Sequence, residues 1–312
     1  MKSWELWQSE GVTKEVGALR LVRMIELCTE VEEVSLGFFQ NVNLASFATL
    51  TSECSYHRRA STDFDAVELR SLHLVEIDDV VFRPVGRTSL DSLVELSFSG
   101  SVNSLTLADE PFFTPATLPS LRRLALFPDS SVDDWANSFA VTCADELDDI
   151  AGQLHHLKLV DWGDDEDFPP FLVKCRNLIS LDYNGSLPIF APGTTLATPL
   201  AGLRLQLPSF CKADQAQQQF KIAFELGLLD SRTAILIEHY SHAAFGDGGL
   251  NEWAASVGLK LLYRRSEVNS EYRRRGGRGI ADGEWGFGDA IEREIAKVEK
   301  EAAGRLTVVE HR

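Results

Sequence analysis

Basic residues are scarce in this chain: 30 Lys and Arg stand against 47 Asp and Glu over 312 residues, a formal charge of −17. A surface of that sign repels phosphate backbones and anionic lipid, so a general nucleic-acid or membrane-surface binder is excluded. Cysteine is sparse as well. The five residues Cys28, Cys54, Cys143, Cys175 and Cys211 lie at long spacings with no Cys-x-x-Cys pair. An odd number so arranged supports neither a disulfide framework nor a zinc knuckle. No apolar run approaches the ~18 residues of a membrane-spanning helix. The opening MKSWELWQSEGVTKE lacks the apolar stretch of a signal peptide. These absences lead to the expectation of a cytoplasmic or nuclear protein.

Catalytic signatures are missing too. No phosphate-binding Gly-x-x-x-x-Gly-Lys loop, Gly-x-Ser-x-Gly elbow, His-Glu-x-x-His helix or Gly-x-Gly-x-x-Gly turn occurs. His155-His156 opens a predicted strand, where alternation sends the two side chains to opposite faces and works against shared metal coordination. His239 and His242 have only Glu238 nearby as a further ligand. The densest acidic run, Asp161 to Asp167, lacks the ligand spacing and distal Glu of a calcium loop. It reads as a solvated loop, ahead of a contact for a basic partner and, last, a metal site, and Trp162 within it either anchors a Lys- or Arg-bearing segment or packs in the core. We therefore expect no catalytic residues, no metal and no cofactor.

What the chain has in quantity is leucine: 41 residues, recurring in one arrangement. Leu69-x-x-Leu72-x-Leu74, Leu121-x-x-Leu124-x-Leu126, Leu154-x-x-Leu157-x-Leu159 and Leu200-x-x-Leu203-x-Leu205 are four strict copies, where random placement would give about 0.7. Allowing any large apolar residue adds Val31/Val34/Leu36, Leu93/Leu96/Phe98 and Leu178/Leu181/Tyr183. The middle positions fall at 34, 72, 96, 124, 157, 181 and 203, and four of the six intervals are those of leucine-rich repeats. Alternating leucines define a short strand with one apolar face. One such strand cannot bury its leucines alone, but stacked copies form a continuous column.

Between the strands, 13–27, 131–147, 212–229 and 251–257 read as helices, and 234–237 and 259–262 as strands of two degenerate final repeats at 235 and 260. The expected fold is α/β: an irregular leucine-rich-repeat solenoid, with short parallel strands on the concave side and helices on the convex side. About seven to nine repeats would fill residues 1–264. A charged tail, 265–312, would follow, with a helix over 289–303 and a short strand over 306–309.

The phrases MIELCTEVEEVSLG and VKCRNLISLDYNG share the spacings Cys28-x-x-Val31-x-x-Val34 and Cys175-x-x-Leu178-x-x-Leu181, and the body ends in NEWAASVGLKLLYRR. Over about residues 15–264 this resembles the substrate-recognition repeats of fungal F-box proteins. The resemblance implies a protein partner and, where an F-box is attached, components of a ubiquitin ligase. Two departures stand out. An F-box opens on a Leu-Pro pair, which Met1–Gly11 does not hold. The Asn or Cys usual three positions after each strand leucine is replaced by Phe39, Ile77, Asp129, Trp162 and Pro208.

If the leucines point inward, the alternating residues form an exposed recognition face. Its candidates are His73, Glu95, Arg123, His156, Lys158, Asp182 and Arg204, mixed in charge and not apolar enough for a small-molecule pocket. The charge is also uneven. Residues 264–312 hold 11 of the basic and 10 of the acidic side chains, which leaves −18 on residues 1–263. Arg273, Arg274, Arg275 and Arg278 among glycines are either a solvated linker or an anionic contact, the one place where nucleic acid would be accepted. The leading expectation is thus a non-enzymatic protein-interaction scaffold. The alternatives are a regulator of a GTPase-like partner and a truncated F-box-protein descendant without a ligase role.

Overall fold

An alternating apolar segment gains from becoming a strand only if a neighbouring copy covers the same face at the same height. The computed structural model of the chain describes residues 3–7, 32–37, 69–77, 89–100, 112–128, 147–160, 168–185, 187–207, 211–239 and 249–265. The expected helices over 13–27 and 289–303, most of that over 131–147, the strand over 306–309, the acidic run with Trp162 and the arginines at 273–278 lie outside the described residues. The chain is α/β and divides into two compact units, Met1–Leu154 and His155–Arg312.

The first unit carries β1 (Ser3–Trp7), β2 (Glu33–Gly37), β3 (Ser71–Ile77), β4 (Glu95–Gly100) and β5 (Arg123–Pro128). Each pairs in parallel with the next. Val34, Leu72, Leu96 and Leu124 share one register position, and Leu36, Leu74, Phe98 and Leu126 the next on the same face. All eight are buried, as are the preceding Leu69, Leu93 and Leu121. The strand β1 extends the sheet at the far side, with Trp4 beside Val34 and Leu6 beside Leu36. It was not expected. Met1-x-x-Trp4-x-Leu6 fits the relaxed pattern and stands one further copy before Val31/Val34/Leu36.

The second unit carries β6 (His156–Val160), α1 (Phe168–Lys174), β7 (Ser180–Asn184), β8 (Gly202–Leu207), α2 (Ala213–Glu225), β9 (Ala234–His239), α3 (Leu250–Ser256) and β10 (Lys260–Arg265). Its strands are parallel and adjacent in chain order from β6 to β10. Leu157, Leu181, Leu203, Ile235 and Leu261 form one row, so the last repeat is anchored at Leu261 rather than at the expected position 260. Lys260 thereby falls on the opposite face, as pleat alternation requires.

One hydrogen-bonding device recurs where strands begin. The Glu32 carbonyl accepts from the N–H groups of Arg70 and Ser71 at 2.8 and 3.1 Å, and that of Arg70 from Val94 and Glu95 at 2.8 and 2.9 Å. The Val94, His155 and Ile179 carbonyls do the same for the strands that follow them. Each acceptor stands two residues before a middle apolar position, so the sequence spacing reappears as a backbone spacing. Side chains add links of no single type. Ser92 Oγ donates to the Leu69 carbonyl at 3.0 Å, and Gln153 Nε2 to that of Leu118 at 2.7 Å. Gln219 Oε1 accepts from the N–H groups of Ile189 and Phe190 at 2.9 and 3.0 Å.

The β8–β9 and β9–β10 connections close alike. α2 buries Ala216, Phe220 and Ala223, spaced four and three apart on one face. It ends earlier than the expected position 229 because Gly227 turns left-handed, with φ of 72°. Leu228 N–H then reaches back to the Ala223 carbonyl at 2.8 Å and Gly227 N–H to that of Phe224 at 3.0 Å. After α3, Gly258 (φ 79°) repeats the arrangement, with Leu259 N–H on the Ala254 carbonyl at 2.9 Å. This is a glycine-terminated helix whose last carbonyls are satisfied and whose following leucine turns into the core.

Beyond α2, Asp230 holds the turn into β9. Its carboxylate accepts from the Arg232 backbone N–H at 2.8 Å and from the guanidinium at 2.7 and 3.0 Å. Burial pushes this carboxyl up, but the Arg232 side-chain hydrogen bond, the backbone N–H groups of Arg232 and Thr233 and the Arg232 charge outweigh it and hold the group below its ordinary value. A depressed folded value means stability that is present at neutral pH and is lost as pH falls from about 4 through the folded pKa. Arg232 exposes 58% of its side chain and Asp230 31%, so solvent screens the pair and its contribution is below about 1 kcal/mol. Asp230→Asn is expected to lower the melting temperature slightly at pH 7 and to melt together with the wild type in strongly acidic buffer. A gap that persists in acid would show that the charge is not responsible.

Candidate functional site

Pleat alternation dictates that the residues between the buried apolar positions share the opposite face of each sheet. In the first unit this face brings Glu95 and Arg123 together at one register position, with Arg123 Nη1 3.7 Å from Glu95 Oε2. His73 does not join them. Its Nε2 lies 3.6 Å from Oε1 of Glu33, one register step away on β2, a partner not anticipated from sequence.

The second unit concentrates the rest. Lys158, Asp182 and Arg204 occupy one register position on three successive strands. Lys158 Nζ and Arg204 Nη1 each stand 3.4 Å from the same carboxylate oxygen, Asp182 Oδ2. One step back along the strands, His156 Nδ1 and Ser180 Oγ are 2.8 Å apart, the proton's position depending on the imidazole tautomer. The charged row then turns apolar: Arg204 is followed by Leu236 on β9 and Leu262 on β10. Leu236 packs with Leu262 and Ala234 in a cluster of its own, on the face opposite the main leucine rows.

The expectation of an exposed face needs correction. Ser35, Ser97, His156, Ser180, Asp182, Ala125 and Leu236 are buried. Lys158 and Arg204 expose only 13% of their side chains, whereas Arg123 exposes 41%. Parallel neighbours lie about 4.8 Å apart, so long side chains that pair across strands lie over one another instead of projecting. Leu236 and Leu262 were missed. The signal was present in Ala234-Ile-Leu-Ile237, an uninterrupted apolar run of the kind that marks a strand buried on both faces.

Trp162 and the arginines at 273, 274, 275 and 278 lie outside the described residues. Among the described residues no group of three His, Cys, Asp or Glu side chains gathers in metal-binding geometry, and no helix is long and apolar enough to cross a membrane. Cys175 and Cys211 are buried, and Cys175 Sγ donates to the Phe171 carbonyl at 3.6 Å.

The sheets thus define an α/β protein of parallel strands, with one leucine-lined face and one face of cross-strand ion pairs. No protein-family model, no curated protein and no solved structure matches the chain.

Proposed function

We propose that the chain is a non-enzymatic protein-interaction scaffold, an irregular leucine-rich-repeat solenoid resembling the substrate-recognition part of an F-box protein, and that a protein partner docks on its charged strand face. The repeated carbonyl device and the stacked apolar rows support the repeat reading, because both recur at the sequence period. The observation that carries the binding role is the row Lys158–Asp182–Arg204–Leu236–Leu262, which sets fixed charges beside aliphatic side chains on the side of the sheet opposite the main leucine rows. Interfaces draw their energy from a few such desolvated polar and apolar anchors rather than from total area.

The test is capture of proteins by the immobilised full chain, compared with Arg123→Glu in the first unit and Lys158→Glu in the second. Loss of at least one specific protein with either variant, at unchanged circular dichroism, is the expected result. Captured proteins indifferent to both reversals would sink the reading. Recovery of a cullin-containing ligase with the wild type would extend it to ubiquitin transfer.

A further inference from the structure

We infer that the segment 289–309 of this same chain is a closing repeat: a helix–glycine–strand unit whose apolar helical face and short strand cover the end of the sheet beside β10. The inference rests on the repeat reading of the strands and not on the binding role.

The described end of the second unit has the form of an interface. Leu157, Leu181, Leu203 and Ile235 are buried, yet Leu261, next in the same row, is only half-buried. Leu262 on the other face is half-buried too, as are Trp253 in α3 and Val257 at its C-terminal end. Among the described residues β10 pairs with β9 and the sheet ends there. A strand at an edge invites pairing by a further strand. A stack of repeats that stops on an apolar row needs a terminal unit with a polar outer side.

The sequence supplies such a unit, because two described modules lead into the last strands by one scheme. In α2, Ala216, Phe220 and Ala223 are buried at spacings of four and three, before Gly227 and β9. Leu250, Ala254 and Val257 repeat the spacing around α3, before Gly258 and Leu259-x-Leu261. Residues 289–309 hold the same series: Ile291, Ile295 and Val298, again four and three apart, then Gly304 and Leu306-x-Val308. On a helix, Ala302 continues that stripe, whereas Arg293, Lys297 and Lys300 fall on the opposite side. One apolar side and one charged side are what a terminal unit requires.

Parallel pairing that continues the rows sets Leu306 beside Leu261 and Val308 beside Tyr263. The 23 residues between Arg265 and Asp289 can span up to ~75 Å, so the return is not limited by length. A tether of this kind gives the chain's own segment an effective concentration of roughly millimolar. A second copy of the chain at micromolar concentration competes poorly with it for the same edge.

Hydrogen–deuterium exchange of the full chain, read by mass spectrometry, tests this. β10 and residues 306–309 are both expected to exchange slowly, at rates unchanged when the protein is diluted about twentyfold. Ile295→Glu places a charge on the apolar side and is expected to accelerate exchange in both segments about tenfold or more. Lys297→Glu is a larger change of charge on the opposite side and is expected to stay within about twofold of the wild type. Residues 306–309 exchanging as fast as an unfolded peptide, or a β10 indifferent to Ile295→Glu, overturns the inference. Protection of β10 that fades on dilution, with a dimer's mass by light scattering, overturns it as well, since a second copy then occupies the edge. None of these outcomes bears on the scaffold reading, which stands or falls with the capture of partners by the Arg123→Glu and Lys158→Glu variants.

Discussion

Asp182→Ala is expected to lower the unfolding free energy of the chain by about 3 kcal/mol. The carboxylate exposes 7% of its side chain and holds two cations at 3.4 Å, each itself 13% exposed. Its removal leaves two like charges on either side of β7, partly withdrawn from water and with their shared counter-charge gone. Repulsion between such charges is several-fold stronger there than in bulk water. Replacing the whole set by Lys158→Met, Asp182→Leu and Arg204→Met together removes the desolvation cost along with the pairing. That triple variant is expected to lie within about 1 kcal/mol of the wild type or above it. Urea denaturation followed by circular dichroism reads both. A loss below about 1 kcal/mol for Asp182→Ala would mean that the pairs are solvated and behave as surface ion pairs.

Leu203→Ala is expected to cost a comparable ~3 kcal/mol for an unrelated reason. Leu203 is fully buried, and its register neighbours Leu181 and Ile235 are fully buried as well. Those neighbours are fixed by the backbone ladder on both sides, so the cavity left by the missing isobutyl group cannot close by a simple shift. Transfer energy and cavity energy are therefore both lost. Denaturation midpoints of Leu203→Ala and of Ser180→Ala on the opposite face give the comparison. Ser180→Ala removes only the hydrogen bond to His156 and is expected to cost about 1 kcal/mol. If the two variants were equally mild, the leucine rows would not be the packed core that their burial indicates.

The leucine rows were legible because their cause is local. A period of two within a segment, repeated at intervals of 22 to 38 residues, needs no tertiary knowledge to read as strands that must stack. Every described apolar position of the seven sequence copies is buried. The ends of elements were less legible. α2 stops at Glu225 because Gly227 can turn left-handed, while the apolar Leu226, Leu228 and Leu229 continue the helical pattern past the glycine. β1 was overlooked although Met1-x-x-Trp4-x-Leu6 keeps the relaxed spacing, because a strand's membership of a sheet is decided by its pairing with β2.

The candidate face shows the division most clearly. Alternation alone names Lys158, Asp182 and Arg204 as residues of one face, since each stands one place beyond a middle leucine. Sequence also determines the excess of acid around them, the two-residue rhythm and the short glycine-ended helices. It does not determine that the three side chains meet on one carboxylate oxygen, that His156 meets Ser180, or that an aliphatic cluster continues the row. Those contacts join residues 22 to 30 or more positions apart, and they depend on which strands lie adjacent and in what register. Register is set by the leucines on the other face: a slip of one residue would expose the core. The buried face thus chooses the alignment, and the charged face receives its pairings as a consequence that only the assembled sheet contains.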